Sequence, residues 1–174
     1  AIIDSHVSEC HWRGMDSQAV GGVNGPGPFL IQNNYIEGAG QNFMFGGGDA
    51  SAPELVPQDL VFRRNHVFKP LSWRGVWSIK NSFQLKVGKR ILVEDNIFEN
   101  NWPDAQTGTM IVIKSVNQTG RAPFGFTSDV TFRYNRLINS ANGFSIHGEP
   151  ESYPVDEPTK RVAVYHNVLE SIYA

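Results

Sequence analysis

Leu60-Val-Phe-Arg-Arg-Asn65-His-Val is one of five versions of the same eight residues in a chain of 174. The others are Phe29-Leu-Ile-Gln-Asn-Asn34-Tyr-Ile, Ile91-Leu-Val-Glu-Asp-Asn96-Ile-Phe, Val130-Thr-Phe-Arg-Tyr-Asn135-Arg-Leu and Val162-Ala-Val-Tyr-His-Asn167-Val-Leu, and Ile2-Ile-Asp-Ser5-His-Val is a degenerate sixth. Their asparagines stand 31, 31, 39 and 32 residues apart. A period near 30 with one longer insertion is the mark of a solenoid. Within each copy the large apolar residues fall five and three positions before the asparagine, a period of two that predicts a strand. Beyond the asparagine the apolar position moves to the second following residue (Ile36, Val67, Phe98, Leu137, Leu169), so the chain bends there and begins another short stretch. Each repeat carries a later strand as well, with inward pairs Phe43/Phe45, Phe83/Leu85, Ile111/Ile113 and Phe144/Ile146.

One such coil cannot bury its own apolar face, whereas coils stacked at roughly 4.8 Å form parallel sheets around a continuous core. The expected fold is therefore all-β, a parallel β-helix of about five to six coils, with residues 1–174 forming one domain. The recurring asparagine is expected to pass side-chain hydrogen bonds from coil to coil, rather than to mark a corner that merely tolerates it.

Composition narrows the partners. Charged residues are 18% of the chain and the formal net charge is −2, with both signs scattered, which leaves no electrostatic footprint for nucleic acid or an anionic membrane. No apolar run reaches the length of a membrane span. With 17 Gly and 10 Pro the chain is rich in turns, and a lone Cys10 excludes an internal disulfide framework.

The asparagine-centred repeats, together with Gly21-Gly-Val-Asn-Gly-Pro-Gly-Pro28 and Glu99-Asn-Asn-Trp102, resemble the bacterial right-handed parallel β-helix repeat proteins of the pectate-lyase-like superfamily over nearly the whole chain. The resemblance implies that the β-helix is right-handed, and it implies an extracellular or cell-surface protein and a carbohydrate-active one: a polysaccharide lyase, glycoside hydrolase or epimerase. The sequence departs from the polygalacturonase-like pattern, since it contains no Asp-Asp pair and His147 follows Ile146 rather than glycine. Of the pectate-lyase arginine motif it has only Arg121-Ala-Pro-Phe. Residue 1 falls inside a repeat and no closing element follows Val162–Leu169. The expectation is an excised middle of a longer solenoid, or coils capped by another copy through end-to-end or side-by-side self-association.

Aligning the later strands puts Gly46, Lys86, Lys114 and His147 at one outward position, with Met44, Gln84, Val112 and Ser145 two residues earlier. A basic row at strand spacing repels itself unless anions or acidic side chains lie among it. It suits a uronate polymer, one cation neutralising the carboxylate while another, its pKa depressed by its neighbours, removes the C5 proton. Lys86 and Lys114 are the candidate base and neutraliser and His147 the acid; the bland reading leaves both lysines in solvent. Gln84 and Ser145 are the polar members of the adjoining column. On the rims, Trp73, Arg74 and Arg121 fit sugar-ring stacking and carboxylate forking, although Trp73 and Trp77 equally fit as plugs onto the core. Outward Gln32, Arg63, Glu94, Arg133 and Tyr165 read as a structural ion-pair ladder, and the mostly apolar column Leu30, Val61, Leu92 and Thr131 as a face with a cover. No carboxylate run has calcium-loop spacing and no His/Cys cluster suggests zinc, so no cofactor is expected; Ca²⁺, which the resemblance allows, has no sequence support. The expected function is a lyase or epimerase acting on a uronate-containing polysaccharide. The rival is a non-catalytic carbohydrate-binding or structural surface solenoid, a self-assembling subunit among the forms it could take.

Overall fold

The computed structural model describes residues 1–173 and contains no α-helix among them, only two short 3₁₀ turns at Pro53–Leu55 and Leu71–Trp73. Three parallel sheets wind into a β-helix. The first sheet stacks Ile2–Ile3, Phe29–Gln32, Gln58–Arg63, Gly88–Glu94, Thr127–Arg133 and Lys160–Tyr165 in chain order. The second stacks His6–Cys10, Tyr35–Gly38, His66–Phe68, Ile97–Asn101, Arg136–Ser140 and Val168–Ile172. Gln18–Gly22, Gln41–Phe45, Asn81–Leu85, Thr109–Ile113 and Asn142–Ile146 form the third. Each of the first five coils thus contributes one strand to each sheet and the sixth one strand to each of the first two, the stretch after the asparagine being a strand in its own right. The expected register holds: Ile31, Phe62, Val93, Phe132 and Val164 are successive neighbours in the first sheet.

The interior is a column of aromatic rings. Phe43 stacks on Phe83 at 4.9 Å and meets Phe62 at 5.2 Å, while Phe98 and Phe132 pack at 5.6 Å and Phe132 meets Phe144 at 5.1 Å. Phe43, Phe62, Phe83, Phe98 and Phe132 are all fully buried. At the corner, Asn65 donates from its backbone N–H and from Nδ2 to Asn96 Oδ1 (2.9 and 3.0 Å), and Asn96 repeats both bonds to Asn135 Oδ1 (3.0 and 2.9 Å). The same pair of bonds links Asn34 to Asn65 and Asn135 to Asn167. Each Nδ2 also reaches a first-sheet carbonyl of the preceding coil, as Asn96 does to Phe62. The side chain therefore satisfies buried backbone groups that the bend removes from the sheets.

Two columns of left-handed backbone went unread in the sequence. Asn33, Arg64, Asp95, Tyr134 and His166, each just before a ladder asparagine, have φ of 54–56°. Asp59, Arg90, Asp129 and Arg161, one residue before the apolar run, have φ of 53–58° and pair as Asp59–Arg90 (2.6 Å) and Asp129–Arg161 (2.5 Å). The outward charge column is a set of local pairs rather than one ladder: Arg63 Nε donates to Gln32 at 2.7 Å, and Arg133 binds Glu94 at 2.8 Å and the Tyr165 hydroxyl at 3.3 Å. The Leu30, Val61, Leu92 and Thr131 column is half-buried.

Candidate functional site on the outer face of the third sheet

Gly46, Lys86, Lys114 and His147 each follow a third-sheet strand, and their backbone N–H groups donate to the strand below: Gly46 to Gly22, Lys86 to Phe45, Lys114 to Leu85 and His147 to Ile113. The expected row is therefore real. Gly46, at φ +116°, ends the row for a steric reason: a Cβ there would lie 2.5 Å from Cβ of Lys86. The space beneath Lys86 holds no side chain from that position.

The repulsion expected among the row is relieved by Glu151, a residue the sequence reading missed. Its Oε2 accepts from Lys114 Nζ at 2.7 Å, and its Oε1 lies 3.4 Å from His147 Nδ1. The other imidazole nitrogen, Nε2, is 2.8 Å from Ser145 Oγ. Lys114 is only 12% exposed, against 40% for His147 and 44% for Glu151, so its ion pair is the least screened contact of the group. Lys86 makes no ion pair or side-chain hydrogen bond among the described residues. Burial, and then the Lys114 ammonium beside it, hold its amine below the ordinary 10.5. Asp16, on the far rim, is taken by Lys80.

Asn81, Gln106, Thr107, Thr109, Val112, Lys114, Ser145 and His147 line a cleft of about 220 Å³. This is smaller than the roughly 300–1,000 Å³ of pockets that enclose a whole ligand; it suits one unit of a chain that continues along the sheet. Val112 is the register neighbour of both Gln84 and Ser145 and forms an apolar floor. Gln84 points out of the sheet yet is buried, its carbonyl accepting from Gln41 Nε2 at 3.1 Å. It does not line the cleft and is not the open contact expected. Gln41 Oε1, and Asn81 Oδ1 of the cleft lining, are buried without a partner.

The three rim residues are not brought to this cleft. Trp73 is 5% exposed in a satellite core with Ala39, Ile79 and Trp102, its ring edge-on to His11 at 5.3 Å, so the plug reading describes its position and its faces are covered by protein. Arg74 is exposed but lies over the Trp102 ring at 5.2 Å. Arg121 sits in the long insertion beside Asp49, Ala50, Ser51 and Thr119. Asp49 staples that insertion, accepting from the backbone of Gln118 (2.6 Å) and Thr119 (2.9 Å) and from the Thr119 hydroxyl (2.5 Å). Partial burial opposes ionisation of Asp49, but these donors outweigh it and hold the carboxyl below its ordinary value. Among the described residues no three His, Cys, Asp or Glu side chains gather as metal ligands.

Glu151 escaped the sequence reading because it belongs to a rim segment outside the repeat; its one signal was its place four residues after His147. No protein family, curated protein or solved structure matches this chain, so the meaning of the site rests on its own geometry.

Proposed function

We propose that the chain binds a uronate-containing polysaccharide along the outer face of the third sheet and acts on it by removing the proton at C5, as a lyase or an epimerase. The observation that supports this reading is Lys86, an unpaired, half-buried amine in register with a second lysine. An amine whose burial weakens its hold on a proton is a readier base than a free lysine. Lys114, paired with Glu151 at 2.7 Å, faces the sugar carboxylate. In this reaction the C5–H electrons form the C4=C5 bond as the C4–O bond breaks, and His147 returns a proton to the departing oxygen. In epimerisation the carbanion instead regains a proton at C5 from the opposite face. The resemblance to the pectate-lyase-like superfamily supports the polymer class, as it supports an extracellular or cell-surface location, and no step is routed through a metal.

The test is ultraviolet absorbance of the protein with a panel of uronate polymers, with and without Ca²⁺, alongside proton exchange at C5 to detect epimerisation. An unsaturated product, or exchange without one, that disappears in Lys86→Met supports the reading. Binding with neither signal assigns the groove to a non-catalytic carbohydrate module, and absence of binding overturns the proposal.

A further inference from the structure

Ser145, His147 and Glu151 stand in the order nucleophile, base and orienting carboxylate. Ser145 and His147 are two residues apart on the outward side of one strand and its continuation, so the backbone itself presents the hydroxyl to the imidazole, Oγ to Nε2 at 2.8 Å. Glu151 enters from the neighbouring rim segment. Its strand, Glu151–Ser152, pairs in parallel with Val116–Asn117, which fixes the carboxylate 3.4 Å from Nδ1. Lys114 donates to the other carboxylate oxygen at 2.7 Å and so orients the carboxylate. Such an arrangement is recognised by geometry and roles rather than by sequence order, and its hydrogen bonds tighten once substrate is bound.

We propose that this cleft is a serine acyl-transfer site that hydrolyses short-chain esters, of the kind carried as O-acyl groups on sugar hydroxyls. Ser145 Oγ attacks the ester carbonyl carbon while His147 Nε2 takes the hydroxyl proton. The tetrahedral intermediate collapses by breaking the bond to the sugar oxygen, which leaves with the proton returned by His147. Water then attacks the acyl-serine, His147 again moving the proton, and releases the carboxylic acid and free Ser145. No other co-reactant is needed. The floor beside Ser145 is the Val112 side chain, apolar and 6% exposed, against which an acyl methyl group packs. The far end of the same cleft carries the Thr107 and Thr109 hydroxyls, which bond to each other at 3.3 Å.

The identity of the acyl-bearing sugar rests on the polysaccharide reading; the ester chemistry does not. His147 must be neutral here, whereas the elimination reading uses it as an acid, so the two reactions separate experimentally. The test measures hydrolysis of 4-nitrophenyl acetate, acetate release from an O-acetylated uronate polymer, and covalent capture by a fluorophosphonate probe located by mass spectrometry. The expected result is an adduct at Ser145 and a loss of at least about 100-fold in hydrolysis for Ser145→Ala and for His147→Gln. Ser72→Ala, far from the cleft on an exposed turn, retains full activity. Circular dichroism establishes that each variant is folded. Hydrolysis of the small ester without acetate release from the polymer supports the acyl-transfer site and removes only the polysaccharide reading. No probe adduct at Ser145, or a folded Ser145→Ala protein with wild-type hydrolysis, overturns the proposal.

Discussion

Lys114 Nζ lies 2.7 Å from Glu151 Oε2, joining a strand of the repeating sheet to a segment that belongs to no repeat. The lysine is the more buried partner, so the pair is asymmetric: removing the carboxylate strands a mostly desolvated charge, whereas removing the lysine frees a half-exposed one. Glu151→Gln is expected to destabilise the fold by about 1–2 kcal/mol, less than the ~3–5 kcal/mol of a fully buried pair because Glu151 is half in water. Adding Lys114→Met should recover most of that loss. A double-mutant cycle by urea unfolding reads the coupling, and additivity of the two substitutions would show that the contact contributes nothing.

The asparagine ladder is the corresponding device for the corner. Asn96 is 1% exposed and makes four side-chain bonds, to Asn65 twice, to Asn135 and to the Phe62 carbonyl. Asn96→Ala leaves buried donors and an acceptor unpaired, at about 1–3 kcal/mol for each group that water does not reach. The expected total is about 3–5 kcal/mol, and Asn96→Asp should be no better because its second oxygen faces the Phe62 carbonyl. Denaturant unfolding checks this; a cost under about 1 kcal/mol would mean that water replaces the amide.

The left-handed column gives the acid limb of stability. Hydrogen bonds from Arg161 hold the Asp129 carboxyl down to about 2, against an ordinary 3.8. A depressed carboxylate contributes its stabilisation in full above the unfolded value and loses it as pH falls through the folded one. Wild-type and Asp129→Asn proteins are therefore expected to differ most above about pH 4 and to converge as pH approaches 2. Unfolding midpoints across that range measure the convergence, and a constant gap would show that the pair has no linked proton.

How legible each feature was depended on whether it repeats with the coil. Phe62, Phe132 and the ladder asparagines recur at a fixed offset with one chemistry, so a single sequence displays them as a column. Asp59, Arg90, Asp129 and Arg161 recur at an equally fixed offset, but they alternate in charge and look like loop residues until the φ values near +55° reveal a structural position. The row of Lys86, Lys114 and His147 was readable because strand register places it. Its electrostatic meaning was not, because Glu151 comes from a rim segment whose path no periodicity dictates. Trp73 was left between two readings for the same reason: whether a rim indole faces solvent or core depends on Ile79 further along its own loop and on Ala39 and Trp102 from neighbouring coils.

Lys69 supplies a second pH-linked effect, with the same dependence on pH as that of Asp129 but the opposite cause, since burial here disfavours the charged form. It is fully buried at the inner corner between the second and third sheets, and its Nζ donates to the carbonyl oxygens of Gly38 and Ala39, with no carboxylate among its partners. Burial pushes its amine well below the ordinary 10.5. Between the folded and unfolded values the unfolded chain binds the extra proton, so stability rises with pH through that window and levels off near the unfolded value. Wild-type protein should therefore gain stability as pH rises toward about 10, relative to Lys69→Met, which has no proton to lose there. Lys86 and Lys89 are shifted in the same direction by burial, but both are present in wild type and variant, so the difference between the two curves isolates Lys69. Parallel curves would mean that the two carbonyls hold the ammonium charged in the interior.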